Sequence, residues 1–465
     1  MTDIKFGIQE FEEQRIQIRD HPLLSEIPPD GSSQWLDRMI AERFAAYIYS
    51  TRETRPFIQP RGGFSLWQQQ YDLTLSLESA GADFIPLTID SHTRQNDYER
   101  AKMLLDRSEE YGENLLNGYP LLAHGATATR ELYVDVDKPI SLRHGTPDAR
   151  LLVEIAIDSG VTEIEGGGLC YCLPYSRSYP IDRALLNWRY VDRLCAYLSK
   201  PDRLIHRESF GALTGTMVPP FMVVVVEILE LLLAAQEGVL SFAVSFSQTG
   251  SLIQDLATAR SLRSCSEHYL RQFGHENVIT QLVFHQWMGA FPPERPTADA
   301  LIIQGALTSV FGGADKLVVK TRSEALGIPD IQSNCDAVKM CRYAMDLDRH
   351  AKGISLDGLE EETEAITNSA KHVLERILDG SSKQLWEKVV IAVREGMIDI
   401  PFSPHKENSN QLWTSRDSSR SIRVSDPGKV PLPEKFIKRE WCCLGNNKFD
   451  NSLDRMLADI MLMVH

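Results

Sequence analysis

Nine short runs rich in β-branched and aromatic residues lie between residues 56 and 320, each closing on a polar or glycine-containing turn. They fall at 56–60, 83–88, 119–123, 139–143, 160–164, 203–206, 239–245, 278–284 and 316–320. Between them run longer stretches of helical period, such as 148–157 and 227–236. A chain that alternates in this way must bury both faces of a parallel sheet under its helices. The sheet then either stays open, with a nucleotide-binding loop after its first strand, or closes. No Gly-x-Gly-x-x-Gly follows the first run and no Gly-x-x-x-x-Gly-Lys-Ser/Thr occurs. The expected fold is therefore α/β, a (β/α)8 TIM-type barrel. Nine runs are one more than such a barrel needs, and the sequence does not say which is surplus.

Residues 1–50 read as an N-terminal helical arm, 51–400 as the catalytic barrel and 401–465 as a C-terminal extension. Helices are expected across 354–395 and near 453–463, flanking an irregular stretch at 401–438 rich in Pro, Ser, Asn and charge. The most apolar window, 217–235, is interrupted by Glu227, Glu230 and Pro219-Pro220, which fits a buried helix better than a membrane span. A net charge of −15 with no block of Lys/Arg argues against nucleic acid or an anionic membrane as the partner. The first residues carry no basic flank followed by an apolar run, so a cytoplasmic location is expected. Eight cysteines without a Cys-x-x-Cys pair or a Cys/His cluster read as reduced thiols, with no metal site.

Barrel active sites are built where strands end. Here those places carry Arg61, Arg94, Arg143-His144 and Glu165. A guanidinium grips a carboxylate through two parallel bonds and stays charged, so three of them imply a ligand with more than one negative group. A carboxylate among them suits an ammonium. The description fits a dicarboxylic amino acid, and a sugar phosphate would satisfy the same arginines. The glycines of Arg61-Gly-Gly63 and Gly166-Gly-Gly168 either form tight turns or let backbone approach a flat, bulky group. Tyr171 and Tyr175, four apart, are either rim packing or hydrogen-bond donors to a substrate carboxylate.

The run Gly81-Ala-Asp-Phe-Ile-Pro-Leu-Thr-Ile-Asp-Ser-His-Thr-Arg-Gln-Asn96 resembles the large, or epsilon, subunit of glutamate mutase (methylaspartate mutase). So do Leu116-Asn-Gly-Tyr-Pro120, Arg143-His-Gly-Thr-Pro-Asp148, Glu165-Gly-Gly-Gly168, Phe284-His-Gln-Trp-Met-Gly289, Val319-Lys-Thr321 and Asp399-Ile-Pro-Phe402. The similarity keeps the same order from about residue 59 to 402 and is loose outside it.

The resemblance implies an adenosylcobalamin-dependent isomerase that interconverts L-glutamate and (2S,3S)-3-methylaspartate by a radical route, in a barrel that clamps the substrate and excludes water. It implies that Arg61, Arg94 and Arg143 with His144 grip the substrate carboxylates, and that Tyr171, Tyr175 and Glu165 complete the site, with Glu165 on the amino group. It puts Gly63, Asn117, Pro174, Phe291, Lys320, Glu324 and Ile328 against the cobalamin or its adenosyl group. Lys320 and Glu324 have the chemistry to bond ribose hydroxyls, although four residues apart they also read as a surface ion pair. All these positions hold the family's residue type.

Cobalamin mutases bind cobalt through the histidine of Asp-x-His-x-x-Gly, and the nearest string here, Asp90-Ser-His92-Thr-Arg-Gln95, has Gln in place of Gly. The family places that motif on a separate small sigma subunit, which implies that this chain is inactive alone and works as a homodimer within a heterotetramer. The chain also departs from the family pattern. Where the family reads Asn-Arg-Glu-Pro-Phe-Gly-Pro, this sequence has His206-Arg-Glu-Ser-Phe-Gly-Ala212, and Ser403 replaces a usual Gly. His206, Ser209 and Ala212 are expected at a strand end able to face substrate or cofactor, with a hydrogen-bonded structural role the plainer reading for His206. Two alternatives stand beside the glutamate reading: a sibling B12 mutase acting on another amino acid, and a non-catalytic scaffold for a cobalamin-binding partner.

Overall fold

A computed structural model describes residues 6–24, 36–51, 54–211, 217–325, 327, 329–347, 356–380, 382–445 and 453–464, with the side chains of 324, 325 and 453 left aside. Eight of the nine runs are strands: β1 (Phe57–Gln59), β2 (Ile85–Thr88), β3 (Ile140–Arg143), β4 (Glu163–Glu165), β5 (His206–Glu208), β6 (Ser241–Ser247), β7 (Ile279–His285) and β8 (Lys316–Val318). They pair side by side, all parallel, in the order β1-β8-β7-β6-β5-β4-β3-β2. The remaining seam is bridged by the Ile58 carbonyl, which accepts from the amides of Asp83 (2.9 Å) and Phe84 (3.2 Å) just before β2. The Asp83 carboxylate returns a bond to the Ile58 amide at 2.9 Å. The sheet is thus a nearly closed (β/α)8 barrel flanked by helices.

The surplus run is 119–123. Tyr119 makes one parallel bridge to Ile89, and the chain then turns into the helix Leu121–Glu131. Pro120 explains the change: it has no N–H for a ladder, and the proline ring suits the residue that precedes a helix.

Ion pairs fix the N-terminal helix Ile8–Arg19 to the barrel helix Arg150–Asp158. Buried Glu154 takes Arg15 at 2.9 Å, Arg19 at 2.8 Å and the Tyr190 hydroxyl at 2.6 Å. The apolar window folds as the helix Pro220–Glu237, buried along nearly its whole length against the helices Leu252–Phe273 and Leu359–Ile377. Its two interrupting carboxyl groups find partners inside the protein. Glu227 accepts from Ser209 Oγ and from the Ser245 amide, and Glu230 accepts from the amides of Leu169 and Cys170. Among the described residues, no helix is long and apolar enough to cross a membrane. All eight cysteines are free thiols, and only Cys442 and Cys443 are exposed.

Beyond the helix Leu385–Arg394, the stretch read as irregular contains an antiparallel hairpin, β9 (Trp413–Arg416) with β10 (Ile422–Asp426), and the helix Glu434–Leu444. The turn that launches it is organised by buried Asp399, whose two oxygens accept from the Asn408 side chain and from the amides of Asn410, Gln411 and Leu412, all at 2.7–2.9 Å.

Candidate active site at the barrel mouth

Contacts between strands that are not neighbours must run through the barrel interior. Lys316, the first residue of β8, meets Glu163 of β4 and lies 2.5 Å from both Glu208 of β5 and Gln59 of β1. Its ammonium also sits 4.7 Å from the Phe84 ring. Glu208 passes the contact upward, accepting from Arg143 Nη1 at 2.6 Å, and Arg143 Nη2 lies 3.0 Å from Glu165 Oε1. The other oxygen of Glu165 accepts the Tyr171 hydroxyl at 2.6 Å. A ladder of alternating charge thus fills an interior that aliphatic layers usually occupy, and it ends at the mouth.

The ladder sets the protonation of its members. Burial alone would raise Glu208, but Lys316 and Arg143 outweigh it and hold the carboxyl well below the usual range. Burial raises Glu163 to about 7 against the pull of Lys316. Burial also raises Glu165, opposed by Arg143.

Beside the ladder, His144 stacks on Trp188 at 5.7 Å. Burial, and then Arg94, keep its imidazole neutral by lowering its pKa far below the ordinary value. Its Nδ1 accepts the Thr146 amide at 3.2 Å, so the proton resides on Nε2. That nitrogen is buried and has no hydrogen bond of good geometry among the described residues, although the Glu165 backbone is near enough to act on the ring.

Arg94 owes its position to a cap. Asp90 accepts from the amides of His92 (2.9 Å) and Thr93 (3.0 Å), starting the single turn Ser91–Arg94, and Arg94 Nε then donates to the Ile89 carbonyl at 2.6 Å. Arg61 contacts Met288 Sδ at 3.4 Å. Burial, and next the charge of Arg61, lower the pKa of Arg94. Among the described residues neither of these two guanidiniums forms an ion pair with a protein carboxylate, although each is close enough to feel the other. Two neighbouring cations with no carboxylate in direct contact, only the more distant charges of Glu165 and Asp90, suit an anion.

Arg61, Arg94, Arg143, His144, Glu165 and Tyr175 line one cavity of about 800 Å³. Tyr171 lies beneath it, fully buried, and Tyr175 stands on the rim, 54% exposed. Of the positions associated with the cofactor, Gly63, Asn117, Pro174, Phe291 and Lys320 lie in segments that follow strands at the same carboxyl end but do not line this cavity. Gly63 follows β1, and a side chain there would meet the Thr88 carbonyl at 2.6 Å. Asn117 is exposed and accepts the Ser91 amide at 2.9 Å. Pro174 lies within the helix Gly168–Tyr175, Phe291 is buried after β7, and Lys320 follows β8 with its amide donating to Gln286 Oε1 at 2.8 Å. The Glu324 side chain, Ile328 and Ala212 fall outside the described residues.

The glycines after β4 serve the protein's own packing. Gly166 has φ +122°, and a side chain there would come within 2.3 Å of the Tyr171 ring and 2.5 Å of Trp188. One at Gly167 would strike Glu230 at 2.3 Å. His206 does not face the mouth. It opens β5 at the amino end of the strand, bonds Ser241 Oγ at 2.8 Å and packs on Tyr49, and burial lowers it to about 3. Ser209 points to Glu227 on the helix side.

Sequence reasoning passed over Glu208, His285 and Lys316. Their signal was slight: Lys316 inside one apolar run and Glu208 and His285 just past the ends of two others, ionisable groups that a barrel buried under helices tolerates only when they are paired or neutral. Glu165, Glu208 and His285 bring metal-ligand atoms within 4.8 Å of one another. Both carboxylates are already held by Arg143, however, which leaves an ion pair network rather than an ion site.

Residues 41–441 match the family described as methylaspartate mutase E chain. Curated relatives are named glutamate mutase epsilon subunit. That of Yersinia enterocolitica is 39% identical over 379 residues, covering 82% of this chain and 79% of the relative. That of Escherichia coli O157:H7 is 37% identical over 397 residues, covering 85% and 82%. That of Treponema denticola is 35% identical over 432 residues, covering 92% and 89%. With a barrel, an arginine-lined mouth and relatives that span most of both lengths, the chain belongs to the methylaspartate mutase E chain family.

Proposed function

We propose that this chain is the catalytic subunit of an adenosylcobalamin-dependent carbon-skeleton mutase, an isomerase that interconverts L-glutamate and (2S,3S)-3-methylaspartate. The observation that carries the reading is the pairing of Arg61 and Arg94 in a cavity they share with Glu165 and Arg143. Two guanidiniums in no ion pair with a protein carboxylate among the described residues suit carboxylates, and a buried carboxylate beside them suits an ammonium. The neutral Nε2–H of His144 adds a donor for the same carboxylate.

The mouth also fits the cofactor. Gly63 and Gly118 let their loops close on each other and on the backbone after β2, and exposed Asn117 and the Lys320 ammonium would supply polar groups for an amide-rimmed macrocycle and a ribose. Adenosylcobalamin, when bound, supplies a carbon-centred radical by homolysis of its cobalt–carbon bond. The chain's own residues do the rest. Arg61, Arg94 and Arg143 orient both substrate carboxylates, Glu165 with Tyr171 fixes the amino group, and Tyr175 with Phe210 walls the cavity from water. The charge ladder keeps Arg143 from swinging.

The cobalt-ligating histidine belongs to a partner. His92 follows Asp90, but Asp90 directs its Oδ1 to the backbone amides of its own helical turn rather than to the imidazole. A small sigma subunit with Asp-x-His-x-x-Gly completes the enzyme, with two copies of this chain in a heterotetramer. The test mixes the full chain with such a subunit, adenosylcobalamin and L-glutamate and follows 3-methylaspartate by NMR. Product formation supports the reading. Turnover of another amino acid instead identifies a sibling mutase, and no turnover of any amino acid with a competent partner leaves a scaffold.

A further inference from the structure

The helix Gly168–Tyr175 carries Tyr171 and Tyr175, and the loop after it is tied to the barrel helix Ile181–Leu198 by Asn187 Nδ2, which donates to the Tyr179 hydroxyl at 2.6 Å. Pro174 removes a backbone donor from the helix's last turn, and the last carbonyls of any helix need partners from elsewhere. Those partners come from residues 403–407, more than 220 positions along the chain. Ser403 Oγ donates to the Leu173 carbonyl at 2.6 Å and accepts the His405 amide at 3.1 Å. His405 Nε2 lies 2.7 Å from the Tyr179 carbonyl, which can only accept, so this nitrogen carries the proton. Its Nδ1 then accepts the Glu407 amide at 3.2 Å, and both ring nitrogens are satisfied in one tautomer. The Lys406 amide donates to the Arg177 carbonyl at 3.0 Å, and Glu407 Oε1 accepts the Ile181 amide at 3.1 Å. Four bonds therefore run from this short segment to residues 173–181, and two more hold the segment in the shape that makes them. Residues 175–180 form one wall of the mouth cavity.

The segment has a rigid base. Asp399 collects four donors from the turn that follows it, Asn408 also bonds the Ile400 backbone on both sides, and Arg394 holds the second oxygen of Glu407 at 2.6 Å. The motif Asp399-Ile-Pro-Phe402 thus shapes an anchor rather than meeting a ligand.

We propose that residues 403–407 are a brace that sets the mouth loop, with Ser403 and His405 as positioning residues for Tyr171 and Tyr175 in the substrate site. The brace itself is a matter of this chain's geometry, while its effect on substrate rests on the glutamate reading above. Neither residue touches the cavity; each acts through backbone carbonyls of the loop.

Hydrogen exchange on the full chain reads the brace without any need for turnover. In Ser403→Gly and in His405→Ala, amides of residues 173–181 exchange about tenfold faster while those of the barrel strands are unchanged, since each variant loses a single net hydrogen bond or slightly more. His405→Gln, whose amide can still donate to Tyr179, restores protection. In the assembled enzyme with the small subunit and adenosylcobalamin, the KM for L-glutamate rises more than kcat falls. Ser403→Gly removes only a hydroxymethyl group and keeps the test sharp if His405→Ala loosens the whole chain. Unchanged exchange in both variants overturns the brace, and faster exchange with an unmoved KM overturns its positioning role. A wild-type assembly that turns over no glutamate overturns the substrate reading instead, with the exchange result still deciding the brace.

Discussion

Arg143 Nη1 lies 2.6 Å from Glu208 Oε1, at the ends of strands separated by β4, and the same guanidinium reaches Glu165 on the strand between them at 3.0 Å. Arg143 is therefore held in place at the cavity wall by the protein's own carboxylates, while Arg61 and Arg94 form no ion pair among the described residues. Removing one partner of such a buried pair leaves the other charge uncompensated. Glu208→Gln is expected to destabilise the fold by about 3–5 kcal/mol, read as a lowered midpoint in thermal unfolding. The acid dependence should change as well. Glu208 titrates below its unfolded value of 4.5, so its stabilisation is complete above that value and is lost as pH falls through it. The wild type should lose stability below about pH 4.5 more steeply than the Gln variant.

Arg94→Lys keeps a positive charge but loses the fork. If Arg94 grips a carboxylate through two bonds, kcat/KM for L-glutamate falls about 10- to 100-fold, the equivalent of one or two charge-assisted bonds, while thermal stability is nearly unchanged. Steady-state kinetics on the assembled enzyme decide it. A loss within twofold would mean that Arg94 acts only as a diffuse charge.

Asp255 gives a pH signature of the opposite sign. Its Oδ1 accepts both the amide (2.8 Å) and hydroxyl (2.6 Å) of Thr249, and burial lifts the carboxyl to about 7. The folded state then holds a proton that the unfolded chain releases near 3.8, so stability falls as pH rises through the window from about 4 to about 7 and levels off above it. Asp255→Asn removes the ionisable group and leaves an acceptor for Thr249. Its unfolding midpoint should vary less than that of the wild type between pH 4.5 and about 7.5, as measured by scanning fluorimetry.

Gly166→Ala tests the packing under the mouth. The left-handed backbone adds about 1 kcal/mol or more of strain, and the new methyl displaces the Tyr171 ring from Trp188 and its hydroxyl from Glu165. The expected outcome is a lower unfolding midpoint together with lost turnover. Unchanged activity would show that Tyr171 does not hold Glu165 in a needed position.

How much of this was legible beforehand depends on where a residue's partner lies. Arg61, Arg94, Arg143 and Glu165 were readable because strand ends in a barrel converge, whatever their sequence separation. Lys316 and Glu208 were not, because their significance is a contact across the barrel between β8 and β5, which no local pattern encodes. The run at 119–123 misled because a short apolar stretch looks alike as strand or helix start, and only Pro120 hinted at the outcome. The hairpin at 413–426 hid behind its composition: Ser, Arg and Asp dominate, and Arg423 and Ser425 are buried alongside Ile422 and Val424, so no apolar period of two marks the strand. The brace at 403–407 was unreadable, since its bonds go to backbone carbonyls more than 220 residues away.

The most direct test of the central claim is electron paramagnetic resonance on the full chain assembled with a small cobalamin-binding subunit and adenosylcobalamin, frozen with and without L-glutamate. The arginine-lined mouth predicts a radical signal that appears only with glutamate, changes when the glutamate is isotopically labelled, and is weakened at the same glutamate concentration in Arg94→Lys. A complex that binds the cofactor and gives no glutamate-dependent signal would contradict it.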